Sequence, residues 1–500
     1  MMAADTPKNL ADWQTLAASL RFETHAFIDG AFVPAVGGST LTSINPATGE
    51  ALAEVASCNA PDAERATQVA RATFESGVWS RCHPSKRKRV LLRLAELVET
   101  HRDELALLDT LDMGKPISSS LGDLAGTVAC LRYQAECIDK LYGEVAPTGE
   151  RALGLVLREP MGVVAAIVPW NFPLMMTSWK IAPALAAGNS VILKPSEKSP
   201  LSALRLAHLA QEAGIPDGVF QVLPGYGHTV GKALALSMQV DCLAFTGSTG
   251  VGKQLMQYAG QSNLKRVFLE CGGKSPNIVF ADCQHLDAVA QSAAEAIFHN
   301  QGEVCIAGSR LLVENSIRKD FVARVVKAAE HMQPGDPLDP ASFMGAMVDE
   351  AQYNRVLEYI RQGESEGATL TLKGEASDSN GYFLSPTVFD DVTPEMRIGR
   401  EEIFGPVLSV FGFDSEEQAI ALANDSDFGL AAGVWSQDID RIMRVSRRLQ
   451  SGQVYVNNWA GIDQTVPFGG VKQSGNGRDK SLHAQEKYCE VKTVWMSLSV

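Results

Sequence analysis

Between residues 162 and 270 the chain alternates short, nearly unbroken apolar runs with longer segments of helical length. The runs cover 163–168, 190–193, 219–223, 242–245 and 267–269. Runs this short, without polar alternation, are the pattern of strands buried on both faces, as in a parallel sheet covered by crossover helices. One crossover is legible in detail. Residues 199–213 open on Ser199-Pro200, an N-cap followed by a first-turn proline, carry Leu201, Leu204, Leu206 and Leu209, and stop at Gly214 with Pro216 beyond. The repetition predicts a doubly wound α/β sheet, whose ligands bind outside the C-terminal ends of the strands.

Polar, glycine-rich clusters stand where that rule puts them. Pro169-Trp170-Asn171-Phe172-Pro173 follows the first strand and Lys194-Pro195-Ser196-Glu197 the second. Thr246-Gly247-Ser248-Thr249-Gly250-Val251-Gly252 follows the fourth and Glu270-Cys271-Gly272-Gly273-Lys274 the fifth. A glycine turn opening a helix lets backbone N–H groups and the helix dipole meet a pyrophosphate. Residues 247–252 form such a turn, although GSTGVG lacks the GxGxxG spacing and tight turns also use glycine for backbone reasons. Glu197, past the second strand, can accept both hydroxyls of an adenosine ribose and would repel a 2′-phosphate, which favours NAD over NADP. A solvated Lys194/Glu197 surface pair is the plainer alternative.

Composition narrows the class. At about 150 residues per domain, a chain of 500 residues with 45% hydrophobic content forms two to four domains with more than one core. The net charge of −14, with no long basic run, argues against nucleic acid or an anionic membrane surface as partner. The nine cysteines form no CxxC and no Cys/His set with zinc spacing, which reads as reduced thiols, with no disulfide framework and no metal site. The start of the chain, Met1 to Lys8, lacks a basic region leading into an apolar one, so a cytoplasmic protein is expected. The longest apolar stretch, 161–170, is half the roughly 20 residues a membrane span needs.

Three residues carry candidate chemistry. Cys305 lies in a polar, glycine-flanked stretch, Asn300-Gln301-Gly302-Glu303-Val304-Cys305, after a helix-like run over 286–298, and could be an exposed nucleophile or a small buried hydrophobe. Among the others, Cys130 and Cys242 sit in apolar runs and Cys58 and Cys82 in surface-like segments. Glu270 ends a buried strand, where desolvation raises a carboxyl toward the range of a general base; a capping or surface carboxylate is the alternative. Asn171 offers a neutral amide that can donate to an oxyanion, or a turn asparagine before Pro173.

With these residues in view, the chain resembles the NAD(P)-dependent aldehyde dehydrogenases over nearly its whole length. The resemblance is carried by the four clusters above, by the stretch ending in Cys305, by Glu401-Glu402-Ile403-Phe404-Gly405-Pro406 and by Pro467-Phe468-Gly469-Gly470. It implies an α/β fold with a Rossmann-type dinucleotide-binding domain (1–140 and 162–273), an α/β catalytic domain (274–482) and a small β arm (141–161 and 483–500) that builds homodimers or homotetramers. It also implies that the Cys305 thiolate attacks the aldehyde and that the Asn171 amide holds the oxyanion with the Cys305 N–H. Glu270 would activate the water that hydrolyses the thioester, and Lys180 matches a position credited with proton relay. NAD would meet Lys194 and Glu197 at the adenosine ribose and Glu402 and Phe404 at the nicotinamide ribose. The further cofactor positions carried over are Val168, Pro169, Trp170, Ser196, Gly227, Gly231, Phe245, Thr246, Gly247, Ser248, Val251, Cys271 and Gln352. Two departures stand out: Asp479 replaces a proton-shuttling glutamate with a shorter reach, and Glu303 replaces a usual glutamine, adding charge near the nucleophile.

Glu270 also favours hydrolysis to the free acid, since CoA-acylating relatives generally lack this base. Within the family, residues 189–200, 280–283 and 472–484 are most similar to the γ-aminobutyraldehyde group of polyamine (putrescine) and arginine catabolism, including enzymes for γ-glutamyl-γ-aminobutyraldehyde and 4-guanidinobutyraldehyde. A cationic tail wants a carboxylate and aromatic faces. Asp123 falls at a position used for this in the family, and Asp463, Trp459 and Trp179 lie in segments expected to line the tunnel. Phe172, Met176 and His299 would wall the carbonyl. The rivals are a broad-specificity aliphatic or aromatic aldehyde dehydrogenase and a non-catalytic relative, the latter disfavoured because thiol, base and amide are all present.

Overall fold

The computed structural model describes residues 8–377, 380–461 and 463–499. The reading of residues 1–7 as free of a leader therefore lies outside the described residues. The five apolar runs form strands at Val163–Ile167, Ser190–Lys194, Phe220–Val222, Cys242–Gly247 and Arg266–Cys271, mutually parallel in one sheet. The first two are buried at every position, as unbroken apolar runs require.

The strand order in this sheet is Arg266–Cys271, Cys242–Gly247, Val163–Ile167, Ser190–Lys194, Phe220–Val222, Ala26–Ile28 and Ala31–Val33, the last two joining antiparallel. The chain runs outward from Val163–Ile167 through 190 and 220, then returns to its other side at 242. That reversal opens a crevice between the C-terminal ends of Val163–Ile167 and Cys242–Gly247, where open α/β sheets bind ligands.

The crossover helix begins at Leu201 with Pro200 in the capping position, one residue later than the sequence predicts. Ser199 does not cap it; its hydroxyl donates to the Trp170 carbonyl, and the Leu201 N–H is met by Asp112 Oδ2 at 2.8 Å. A carboxylate from another helix has taken over the cap.

After Arg266–Cys271 the chain crosses at Gly272–Ser275 into a second seven-stranded sheet, ordered Thr369–Leu372, Thr387–Asp390, Val407–Phe413, Arg310–Glu314, Pro276–Val279, Ala431–Trp435 and Gln453–Val456. Only its first pair is antiparallel. A three-stranded antiparallel sheet pairs Ala152–Pro160 with Glu144–Ala146 and Cys489–Ser497. Val145, Val491 and Trp495 on it are more than half exposed. All nine cysteines are free, and Cys58, surface-like in sequence, is buried because its N–H docks on the Pro224 carbonyl beside Gly225. Among the described residues no helix is long and apolar enough to cross a membrane.

Candidate active site

The C-terminal edge of the first sheet and the N-terminal edge of the second face each other across a cleft. Its lining includes Pro169, Trp170, Asn171, Met176, Thr246, Gly247, Ser248, Cys271, Gly272, Cys305, Gln352, Arg355, Glu402 and Phe404. The first wall is made of strand ends. Ser248 caps the helix Thr249–Gln261, its hydroxyl accepting from Val251 N–H, so the helix N-terminus opens onto the cleft side. Lys194 is buried; its ammonium donates to the Pro195 carbonyl and to Glu197 Oε2 at 3.2 Å, while Glu197 stays half exposed. Gly231, in the turn Gly227–Gly231, lies against the Lys194 stem, and the Val168 N–H is bonded to the Lys194 carbonyl. Ser196 turns its hydroxyl to Lys198 N–H. Phe245 packs under Gly247, where any Cβ would strike the ring.

The second wall carries the thiol on a strained loop. Helix Leu286–Phe298 ends, and Asn300, Gln301 and Gly302 follow in succession with φ of 50°, 57° and 72°. Left-handed backbone costs a non-glycine residue roughly 1–2 kcal/mol, so the surroundings must hold it. They do so with amides: Asn300 Nδ2 donates to the carbonyls of Asn171 and Glu303, and Gln301 bonds Ala346 and Gly345 through both ends of its side chain. A Cβ on Gly302 would lie 2.2 Å from the Gly405 carbonyl oxygen. The loop delivers Cys305 half-buried, with part of its surface on the cleft. Burial, then Glu270 and Glu402, push its thiol well above the ordinary range.

Asn171 is buried, and its Nδ2 donates one hydrogen to the Glu303 carbonyl at 2.8 Å. A primary amide has a second hydrogen to give. The side chain of Glu303 is fully buried; Oε1 accepts from Val348 N–H at 3.1 Å and Oε2 has no partner. Burial raises this carboxyl well above its usual range against the weaker pull of Val348, Lys198 and Lys115. Burial thus works against an added charge at this position, and the side chain stands with one oxygen bonded and one unpartnered beside the loop of the nucleophile.

Glu270 ends its strand 2% exposed with neither oxygen hydrogen-bonded. Burial, and then the Asp479 charge, push it up to about 8, opposed by Lys180, Lys487 and Arg478. Lys180, on the buried helix Pro173–Ala187, donates to Asp479 Oδ2 at 2.5 Å, and Lys487 takes Oδ1. Opposite the base, Glu402 sits beneath Gly272, where a Cβ would collide with its carboxylate, and accepts the Gly273 N–H at 3.0 Å. Phe404 has φ 60°, is held through its carbonyl by Gln352 Nε2 at 2.7 Å, and meets Trp170 edge-on at 5.3 Å. Thr246 Oγ1 is buried with no partner. An orphaned hydroxyl, a helix N-terminus, a glycine-bared carboxylate and the Lys194/Glu197 pair together fit an extended dinucleotide.

The tunnel residues divide. Phe172, Met176 and Trp179 are buried around the entrance to helix Pro173–Ala187, Trp179 packing on Phe468 at 4.9 Å. Trp459 leans on Tyr455 and covers Gly308 and Gly433, and His299 is solvent-accessible. Asp463 is exposed and bonded to Thr465. Asp123 is not the free carboxylate that the sequence suggests. It is 8% exposed and paired at 2.5 Å with fully buried Lys115, whose ammonium lies 3.9 Å over Phe172. Neither Lys115 nor Lys487 stands out in the sequence, since a single lysine without a local partner pattern reads as surface; Glu303 stands out only as a departure.

Comparison with known proteins agrees with this geometry. The sequence model of the aldehyde dehydrogenase family matches residues 32–494. The chain is 56% identical to the NADP/NAD-dependent aldehyde dehydrogenase PuuC of Escherichia coli (strain K12), covering 98% of this chain and 99% of that protein. Among solved structures, the indole-3-acetaldehyde dehydrogenase AldA of P. syringae, a mutant in complex with NAD+ and IAA, superposes with TM-score 0.97 at 58% identity, covering 98% of this chain and 100% of that one. The γ-glutamyl-γ-aminobutyraldehyde dehydrogenase of Burkholderia cenocepacia J2315 does so with TM-score 0.97 at 55% identity and the same coverage.

Proposed function

The chain belongs to the aldehyde dehydrogenase family, and from that premise we propose that it oxidises an amino- or guanidino-aldehyde to the free carboxylic acid with NAD as cofactor. The observation that carries the chemistry is that Cys305 and Asn171, with its spare N–H, line one cleft, while unpartnered Glu270 is buried next to the lining residue Cys271 and close enough for its charge to act on Cys305. The Cys305 thiol releases its proton to solvent water and, as thiolate, adds to the aldehyde carbon, while the Asn171 amide with the Cys305 N–H stabilises the oxyanion of the thiohemiacetal. Bound NAD supplies the hydride acceptor that takes this adduct to the thioester. Glu270 as carboxylate then removes a proton from water, whose oxygen adds to the acyl carbon; the acid leaves and Cys305 is restored. Lys194 and Glu197 would hold the adenosine ribose, Ser248 and its helix the phosphates, and Glu402 the nicotinamide ribose.

The substrate class is supported by the 55% identity to a γ-glutamyl-γ-aminobutyraldehyde dehydrogenase, and Trp179, Trp459, Asp123 and Asp463 are the aromatic and acidic groups that would meet a cationic tail. The domain limits 1–140 with 162–273, 274–482, and 141–161 with 483–500 belong to the same reading, as does a homo-oligomer joined through the exposed apolar arm. A second reading, an aromatic or broad-specificity aldehyde, is favoured by one observation: Lys115 already neutralises Asp123. NAD-linked assays on γ-aminobutyraldehyde, its γ-glutamyl conjugate, 4-guanidinobutyraldehyde, indole-3-acetaldehyde, a plain aliphatic aldehyde and succinic semialdehyde separate the two. The first reading expects the highest kcat/KM on an amino or guanidino aldehyde. Equal or better efficiency on indole-3-acetaldehyde or the aliphatic aldehyde replaces it with the second.

A further inference from the structure

Lys487 stands where the chain turns from the short helix His483–Glu486 into the last strand, Cys489–Ser497. Its side chain is 6% exposed and its ammonium pairs with Asp479 Oδ1, while Lys180 Nζ takes Oδ2. Both oxygens of a carboxylate that is itself 1% exposed are thus occupied by lysines, one eight residues away in sequence and the other 299. The segment bearing Asp479 lies along the end of the base's own strand: Gly475 bridges Glu270, and the Cys271 N–H donates to the Ser474 carbonyl. Four ionisable side chains therefore share one dry compartment, and Glu270 alone among them has no hydrogen-bond partner.

We propose that Lys487 is a positioning residue for the base: with Lys180 it pins Asp479 as a carboxylate beside Glu270, and the summed charge of that buried cluster sets how tightly Glu270 holds a proton. The inference rests on reading Glu270 as the thioester-hydrolysing base. A buried carboxylate clamped by two ammonium groups holds no proton to hand on, so Asp479 acts on Glu270 through its field. The groups facing Glu270 are Asp479 and Arg478 from its own flanking segment, Lys180 from helix Pro173–Ala187, Lys487, and the thiols of Cys271 and Cys305. Those facing Asp479 are the two lysines, Cys130 and the Tyr488 hydroxyl. The signs are opposed. Asp479 raises the proton affinity of Glu270 and Lys487 lowers it. A neutral side chain at 487 therefore makes the base harder to ionise, and a neutral side chain at 479 makes it easier.

The test needs no nucleotide. 4-Nitrophenyl acetate acylates the cysteine directly, so a pre-steady-state burst reports acylation and the following linear phase reports Glu270-dependent deacylation. Across pH 6 to 10, Lys487→Met is expected to move the midpoint of the linear phase to higher pH by about one unit, the size of one charge felt through protein at several ångströms. Asp479→Asn is expected to move it lower and Lys487→Arg to restore it, all with unchanged burst amplitude. A Lys487→Met midpoint that coincides with the wild type while Tm falls reduces Lys487 to a structural ion pair and overturns the proposal. Where Lys487→Met does not fold, an unmoved or raised midpoint in Asp479→Asn does the same. Glu270→Gln serves as the separate control: a full linear phase in that variant removes the base reading itself, whatever Lys487 does.

Discussion

The two walls of the cleft are built differently. On the first-sheet side every contributing residue closes or follows a regular strand or opens a regular helix, Asn171 and Glu270 included, and Gly247 lies so close on the Phe245 ring that no Cβ fits. On the facing side, Asn300 and Gln301 sit in left-handed backbone, Phe404 does too, and Glu303 and Glu402 are carboxyls pushed upward by burial. A surface that only binds can be made from the ends of strands, whose N–H groups and dipoles already point outward. A surface that reacts must hold groups in states that water would not choose, and it draws on strain and desolvation anchored from elsewhere in the chain.

That contrast predicts large effects where a buried or strained group must react, on either wall, and small ones where an exposed group only binds. The largest belongs to Glu270→Gln, expected to lower steady-state turnover by about 10²–10⁴-fold while a stoichiometric NADH burst survives, as read by rapid mixing. Next is Gly302→Ala. Left-handed φ and a Cβ 2.2 Å from the Gly405 oxygen should displace the loop that carries Cys305, at a stability loss of at least about 1–2 kcal/mol with most activity gone. Denaturation together with thiol titration of Cys305 checks it; a fully active, equally stable variant would show the strain to be incidental.

Third is pH. Glu270 must be ionised to act, and with its carboxyl near 8 the turnover limited by thioester hydrolysis should rise roughly tenfold between pH 7 and pH 9. Stability runs the other way for the buried acids. Burial raises the folded Glu303 carboxyl well above its ordinary value of 4.5, so stability falls as pH rises from that value toward the raised one. Glu303→Gln removes this loss: its Tm should match the wild type near pH 4 and exceed it increasingly toward pH 8, with kcat within about threefold. A collapse of kcat in Glu303→Gln would mean that the acid itself reacts. The smallest effect is at the exposed ribose-binding pair. Glu197→Gln, with its side chain 35% exposed, is expected to raise KM for NAD several-fold and leave kcat alone, measured with both NAD and NADP.

Legibility in the sequence follows the same division. The five parallel strands are readable to within two residues at each end, because apolar runs and the glycines after them are local facts. The same local facts suffice to put Pro169 to Phe172, Lys194 to Glu197 and Thr246 to Ser248 on one sheet edge. The second sheet is reached only through family resemblance, since its strands are interrupted by long connections. The cap on Leu201 falls to Asp112 and not to Ser199, because the true partner is distant in sequence and no local pattern points to it. Asp123 reads as free for a similar reason: nothing local marks Lys115 as its partner.

The sequence by itself determined which residue types stand at the ends of which strands, and with them the thiol, the amide, the carboxylate and the ribose-binding pair. Tertiary structure alone decided their surroundings: that burial raises the Glu303 carboxyl, that Asp123 is already paired, that Asp479 is clamped between Lys180 and Lys487, and that Glu270 has no partner. The reason is physical. Helical and strand periodicity are properties of neighbouring residues, whereas the charge of a buried group depends on the solvent removed from it and on ions brought close by the fold.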